Sequence, residues 1–231
     1  MSVKHKFLLL SAICGLAFSL VSETGIAEEL NKVYDVQKDV TCKKNSGKTY
    51  CVDKSGTPLT GDMVKYQNGI IVRRYPMIEG YLEGKGVVYY ESGKIKTELD
   101  YKNGVLEGEV VNYNRYGQIT EKTPYQNGRK EGVAIYRTPT NILKLIYIDG
   151  EANGDYQIWN KNESEKIYDL KMENDKVLSG TYHYYSGTDN SIQSEKIPEL
   201  IIEAVNQNCL RWQENITNSK CAAIAVGSNP D

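Results

Sequence analysis

From residue 61 to about residue 187 the chain alternates short apolar runs with glycine-centred turns, and within a run apolar and polar side chains trade places at every second position. Ile95, Leu99 and Tyr101 fall on one side while Lys94, Lys96, Glu98 and Asp100 fall on the other. A period of two predicts strands with one wet face. Glu91-Ser92-Gly93, Arg115-Tyr116-Gly117 and Gln67-Asn68-Gly69 fill one kind of gap, and Asn103-Gly104, Asn127-Gly128 and Asp149-Gly150 the other. Glycine after Asn or Asp supplies the positive φ that tight hairpins require, so each pair of runs predicts a β-hairpin. Turns this frequent leave no room for long helices in this region.

The hairpins recur. Gly61, Gly84, Gly108, Gly132, Gly154 and Gly180 stand 22 to 26 residues apart with similar segments between them. Self-similarity at such a period marks an array of units, none of which buries its apolar face until a neighbour stacks on it. The expected architecture is mainly β: tandem β-hairpin repeats forming an elongated, twisted antiparallel sheet, with a short C-terminal helix. In Val87-Val88-Tyr89-Tyr90 and Tyr182-His183-Tyr184-Tyr185 both faces carry aromatic or apolar groups. With 18 Tyr against 2 Phe, the sheet is expected to be thin, because tyrosine covers backbone while its hydroxyl stays wet or finds an acceptor.

The pattern Tyr-x-Asn-Gly-x-x-x-Gly with an aromatic five residues on runs from Tyr101 to Tyr113, and from Tyr125 to Tyr136 with one residue less. It resembles the bacterial variant of the MORN repeat over residues 61 to about 187. The likeness is clearest in the copies starting at Gly84 and Gly108. It is looser in those at Gly61, Gly132, Gly154 and Gly180, where Asn141 and Glu163 replace the turn glycine. The resemblance implies hairpins laid side by side in an elongated, often half-pipe-like sheet and a binding or scaffold role. Many bacterial chains with this variant are labelled antitoxin-like.

The flanks read differently. Lys4 and Lys6 precede the apolar run Phe7 to Val21, and Gly25-Ile26-Ala27 offers small residues for cleavage, so residues 1–27 read as a signal peptide. The product would be exported, to a periplasm or beyond the cell. Cys14 sits inside the apolar run, leaving Cys42, Cys51, Cys209 and Cys221 in the mature chain. An even count in an exported chain suggests disulfides. Three pairings are possible; Cys42 with Cys51 and Cys209 with Cys221 are favoured, each pair close in sequence and outside the array. A zinc site lacks Cys-x-x-Cys spacing. Residues 28–60 then form an N-terminal disulfide hairpin cap that protects the first sheet edge, 61–196 the repeats, and 197–231 a helix and disulfide loop. Pro198 can open the helix, in which Ile201, Ala204, Val205 and Cys209 repeat at helical spacing.

A formal net charge of −2 argues against nucleic acid, whose binding rests on clustered cations, and shows no polybasic patch for anionic lipid. Catalytic chemistry finds little support. His183 is the only histidine after the signal, set among strand tyrosines, and no Gly-x-Ser-x-Gly, His-Glu-x-x-His or P-loop pattern occurs. No catalytic residue, metal or cofactor is expected. Aromatics at equivalent repeat positions, Tyr66, Tyr89, Tyr113, Trp159 and Tyr185, form the candidate binding face. The competing reading makes them a structural ladder of cross-strand contacts. The expected function is an exported non-enzymatic module that binds a protein partner, immunity- or antitoxin-like, with a structural adaptor at a membrane or cell-wall surface as the alternative.

Overall fold

The computed structural model describes residues 32–45, 47–186 and 191–208. The segment expected to be a signal peptide and the expected Cys209–Cys221 pairing lie outside the described residues. What is described is one open sheet of seventeen strands and one helix. The N-terminal part holds β1 (Val33–Asp35), β2 (Val40–Asn45) and β3 (Lys48–Asp53). The first three hairpin units follow as β4 (Gly61–Gln67), β5 (Ile70–Ile78), β6 (Tyr81–Leu82), β7 (Gly84–Tyr89), β8 (Ile95–Lys102), β9 (Val105–Tyr113) and β10 (Ile119–Gln126). Then come β11 (Arg129–Lys130), β12 (Gly132–Arg137), β13 (Asn141–Ile148), β14 (Glu151–Asn160), β15 (Lys166–Glu173), β16 (Lys176–Tyr185) and β17 (Ile192–Lys196), and last α1 (Glu199–Asn208). From β4 onward the strands meander antiparallel, each pairing with its sequence neighbours, while the two-residue β6 and β11 extend the turn ends. At the usual strand spacing the walk from β4 to β17 is about 50 Å long.

One row of cross-strand partners shows how the buried face changes along that walk. It runs Arg73, Val88, Thr97, Asn112, Glu121, Tyr136, Leu143, Ile158, Tyr168, Tyr182 and Glu195. From Tyr136 to Tyr168 it is buried, inside a cluster that also takes in Leu145, Tyr147, Tyr156, Leu170 and Met172. α1 covers this cluster with Val205, Ile201 and Ile202. Asn206 latches it in place, its Oδ1 accepting from the Val177 amide at 2.9 Å and its Nδ2 donating to the Val177 carbonyl at 2.8 Å. In the middle the row is polar and satisfied: Thr97 Oγ1 donates to Asn112 Oδ1, Asn112 Nδ2 to Glu121 Oε2, and Thr123 Oγ1 to Glu121 Oε1, at 2.7 to 2.8 Å.

The N-terminal end is built otherwise. Cys42 and Cys51 lie directly opposite in the β2–β3 hairpin, Cα atoms 4.1 Å apart, and are joined by a disulfide, as the spacing predicts. Such a bond belongs to an oxidising compartment. Cys51 packs with Leu59, Met63, Met77 and Leu82 in a second, smaller core. The hairpin does not cover the first sheet edge as expected, however. It attaches through Tyr50 opposite Tyr81 of β6, and the open side of β4 is taken by β1, in parallel register from Val33–Asp62 to Asp35–Val64. The reason lies at Gly61, where φ is 132° and a Cβ would stand 2.3 Å from the Lys32 carbonyl, so only glycine lets the chain before β1 pass this close.

The repeat glycines serve two purposes. Gly61, Gly84, Gly108, Gly132 and Gly154 all have positive φ, whereas Gly180, at the same spacing, does not. A Cβ on Gly180 would meet Leu170 at 2.4 Å and Ile197 at 2.9 Å, so it is small to let the chain leading into α1 pack closely.

Candidate functional site

The turns divide between the two long margins of the sheet. Along one margin, a clasp ties each repeat to the next. The amides of Gly80, Gly104, Gly128, Gly150 and Asp175 donate to the carbonyls of Leu59, Leu82, Leu106, Lys130 and Ala152, at 2.8 to 3.1 Å. The residue just before each repeat glycine adds its side chain. Thr60, Glu83, Glu107, Glu131 and Asn153 accept from the amides of Glu79, Asn103, Asn127, Asp149 and Asn174, at 2.7 to 3.1 Å. The five donors are all left-handed, φ 48 to 57°. This use of the Glu-Gly pairs was not read from the sequence, although Glu83-Gly84, Glu107-Gly108 and Glu131-Gly132 repeat openly.

The other margin carries the candidate aromatics. Each sits directly across from an isoleucine: Tyr66 from Ile71, Tyr89 from Ile95, Tyr113 from Ile119, Trp159 from Ile142 and Tyr185 from Ile192. Aromatic–β-branched pairs are among the stronger cross-strand contacts. Register shifts fall beside Tyr66, Tyr89, Trp159 and the Ile119 partner of Tyr113. An extra residue there bends the strand and re-aims its side chains. The isoleucines were missed, yet the signal was present: Gly69, Gly93 and Gly117 are each followed two residues on by Ile71, Ile95 and Ile119.

Polar tethers hold the rings. The Tyr113 hydroxyl donates to Glu98 Oε2 at 2.8 Å and the Tyr185 hydroxyl to Glu165 Oε1 at 2.6 Å. Each phenol is raised above its ordinary value, first by the hydrogen bond its neutral form makes to a carboxylate. Trp159 Nε1 donates to Gln157 at 3.2 Å, and the ammonium groups of Lys144 and Lys166 both lie 5.3 Å from its ring centroid. Lys144 also donates to Glu163 at 2.7 Å, holding that carboxyl below the usual range. Tyr66 and Tyr89 are half-buried in the first two units. Ring-to-ring contacts include other tyrosines: Tyr50 with Tyr81, Tyr75 with Tyr101, and Tyr168 with Tyr182, which stacks on Tyr184 at 5.4 Å.

The solvated face between the margins is a ladder of cross-strand ion pairs, Arg74–Asp62, Lys85–Asp100, Lys122–Glu109 and Lys171–Asp155 among them. Towards the C-terminal end it holds a depression of about 400 Å³ lined in part by Asp169, Thr181, His183 and Lys196. His183 Nδ1 is 2.8 Å from Ser194 Oγ, while Nε2 is enclosed without a hydrogen-bond partner. Asp169 is already held by Lys166 at 2.8 Å. Among the described residues no group of three or more His, Cys, Asp or Glu is placed to hold a metal ion, and no helix is long and apolar enough to cross a membrane. A scan against protein-family models finds no match for this chain. A search of curated proteins likewise finds none.

Proposed function

We propose that this chain is an exported, non-enzymatic repeat protein of MORN-like type that binds a protein partner, in an immunity- or antitoxin-like role, through the ring margin of its sheet. The observation that carries the reading is a ring–isoleucine pair across the same turn in four hairpins, with Trp159 at the equivalent ring position opposite Lys166 in its own hairpin and Ile142 in the preceding one. Ile95 is 37% exposed, Ile119 39%, Tyr185 50% and Ile192 58%, so apolar surface is exposed at the margin in hairpins towards both ends of the sheet, Ile95 and Ile119 about 10 Å apart. Surface of this kind, apolar and framed by hydrogen-bonded polar groups, suits a protein interface enriched in Tyr and Trp. The Cys42–Cys51 disulfide supports export.

Cross-linking of the tagged mature chain in its native cell, followed by capture, tests the reading. One stoichiometric protein should be recovered with the wild type, and its recovery should fall about tenfold with Trp159→Ala and Tyr185→Ala together. Capture unchanged by that pair of substitutions overturns the ring margin as the contact, and co-sedimentation with purified cell wall or vesicles in place of a protein overturns the protein-binding role.

A further inference from the structure

Arg74, Lys85, Lys122 and Lys171 each have a carboxylate partner across the strands, whereas a group of cations gathered at one end of the ring margin, Arg73 on the face opposite Arg74 among them, has none. Lys65 and Arg73 are directly opposite each other in β4 and β5, like charges placed where they repel. One hairpin further, Lys96 Nζ and the Arg115 guanidinium both sit 5.8 Å from the Tyr90 ring centroid. Lys94 Nζ donates to the Arg115 carbonyl at 3.3 Å, and the Tyr90 hydroxyl to the Tyr113 carbonyl at 2.7 Å, so the ring and the Lys94 ammonium are held in place. None of these five cations makes an ion pair among the described residues, and the three turns they border contain a single carboxylate, Glu91. Three ring–isoleucine pairs, Tyr66–Ile71, Tyr89–Ile95 and Tyr113–Ile119, belong to the same hairpins.

Resting on the protein-binding reading above, we infer that this end of the margin receives an acidic, extended polypeptide segment of the partner. Clustered cations without carboxylates gain most from an occupant that supplies the missing charge. The step between hairpins, about 10 Å, is spanned by about three residues of extended chain, so an acid at every third position would meet the cations of successive hairpins in turn, with the rings at the rim beside them. A bilayer fits less well, since Ile95 and Ile119 are only 37% and 39% exposed and offer little apolar side chain to insert.

The test uses the purified full chain and a fluorescein-labelled peptide of about fifteen residues built from Asp-Ser-Leu triplets, read by fluorescence anisotropy at about 50 mM and about 500 mM salt. Binding should weaken about tenfold or more with salt, and by a similar factor in K94E/R115E at low salt, whereas K102E/K176E on the clasp margin, with the same change in charge, should bind as the wild type does. No binding at low salt, equal loss in both double variants, tighter binding to phosphatidylglycerol vesicles than to the peptide, or a self-association that K94E/R115E abolishes would each overturn the inference. Cellular capture separates the two readings: a partner lost with Trp159→Ala and Tyr185→Ala but kept by K94E/R115E leaves protein binding intact and removes the acidic occupant.

Discussion

The two ends of the sheet solve one problem with different means. A meander with one apolar face has an open strand at each end and a face to cover, and at the C-terminal end α1 does the covering over a core of thirteen buried residues from Ala134 to Val205. At the N-terminal end the core has only five, Cys51, Leu59, Met63, Met77 and Leu82, and the chain adds a parallel strand and a covalent bond. The contrast shows that the staple sits where burial is smallest. Apolar area supplies most of the stability of a fold, and small cores need cross-links.

If that account is right, the C-terminal core should be the costliest to damage. Leu170→Ala removes a side chain that is 5% exposed and touches the Cβ position of Gly180, and should destabilise the whole array by about 2–5 kcal/mol, read from denaturant midpoints. An effect under about 1 kcal/mol would mean that the cluster does not hold the sheet together. Reduction of the Cys42–Cys51 bond, or Cys42→Ser with Cys51→Ser, closes no loop in the unfolded chain and should cost about 2–3 kcal/mol. Amide exchange should rise in β1 to β6 and stay protected in β13 to β15; a uniform rise would erase the distinction between the ends.

The alkaline limb sharpens the same comparison. Burial raises the Tyr101 and Tyr168 phenols to about 12, and raises Tyr75, Tyr125, Tyr136, Tyr147 and Tyr156 as well. The neutral phenol is favoured in the folded state, so its contribution is complete below the ordinary value of 10.0 and is lost as pH rises through the folded value. Stability should therefore fall from about pH 10 upward, with more of the loss at the C-terminal end, where most of these rings lie. Tyrosine absorbance that titrates at ordinary values while the fold persists would refute the buried placement.

Much of this was legible in the sequence because glycine and period-two alternation act locally. The hairpins, the antiparallel array, the helix after Pro198 and the Cys42–Cys51 bond all depend on residues close in the chain. What stayed hidden depends on partners a repeat or more away. Glu107 looks like a solvated turn charge until Asn127 arrives 20 residues later, and Gly61 looks like any repeat glycine until Lys32 passes over it. The basic patch was masked for the same reason: a net charge of −2 averages over the whole chain, while Lys65, Arg73, Lys94, Lys96 and Arg115 gather from three hairpins. The clasp offers a direct check. Glu107→Ala leaves the Asn127 amide without its side-chain acceptor and should cost about 1 kcal/mol, less than either end perturbation, since the site is exposed and water can replace the carboxylate. Faster exchange confined to the Asn127 amide is the expected signature.

The smallest effect separates the regular units from the irregular one. Glu163 occupies the left-handed turn position, φ 56°, that Gly93 and Gly117 hold in the clearer copies. A side chain there costs about 1 kcal/mol relative to glycine. The compensation is an ion pair with Lys144 at 2.7 Å and a weaker one with Arg137 at 3.6 Å, in the exposed setting where such pairs contribute about 0.2–1 kcal/mol. At neutral pH Glu163→Gly should therefore change stability little. In acid the two proteins part. The Glu163 carboxyl is held below its ordinary value by the Lys144 hydrogen bond, so its contribution is present above that value and is lost as pH falls through the folded one. Once it is protonated, wild type keeps the strained turn without the ion pair, and the glycine variant should become the more stable of the two. Thermal unfolding of both proteins across the acid range decides the matter: midpoints that stay equal would show that Lys144 and Arg137 give Glu163 no compensation for its backbone.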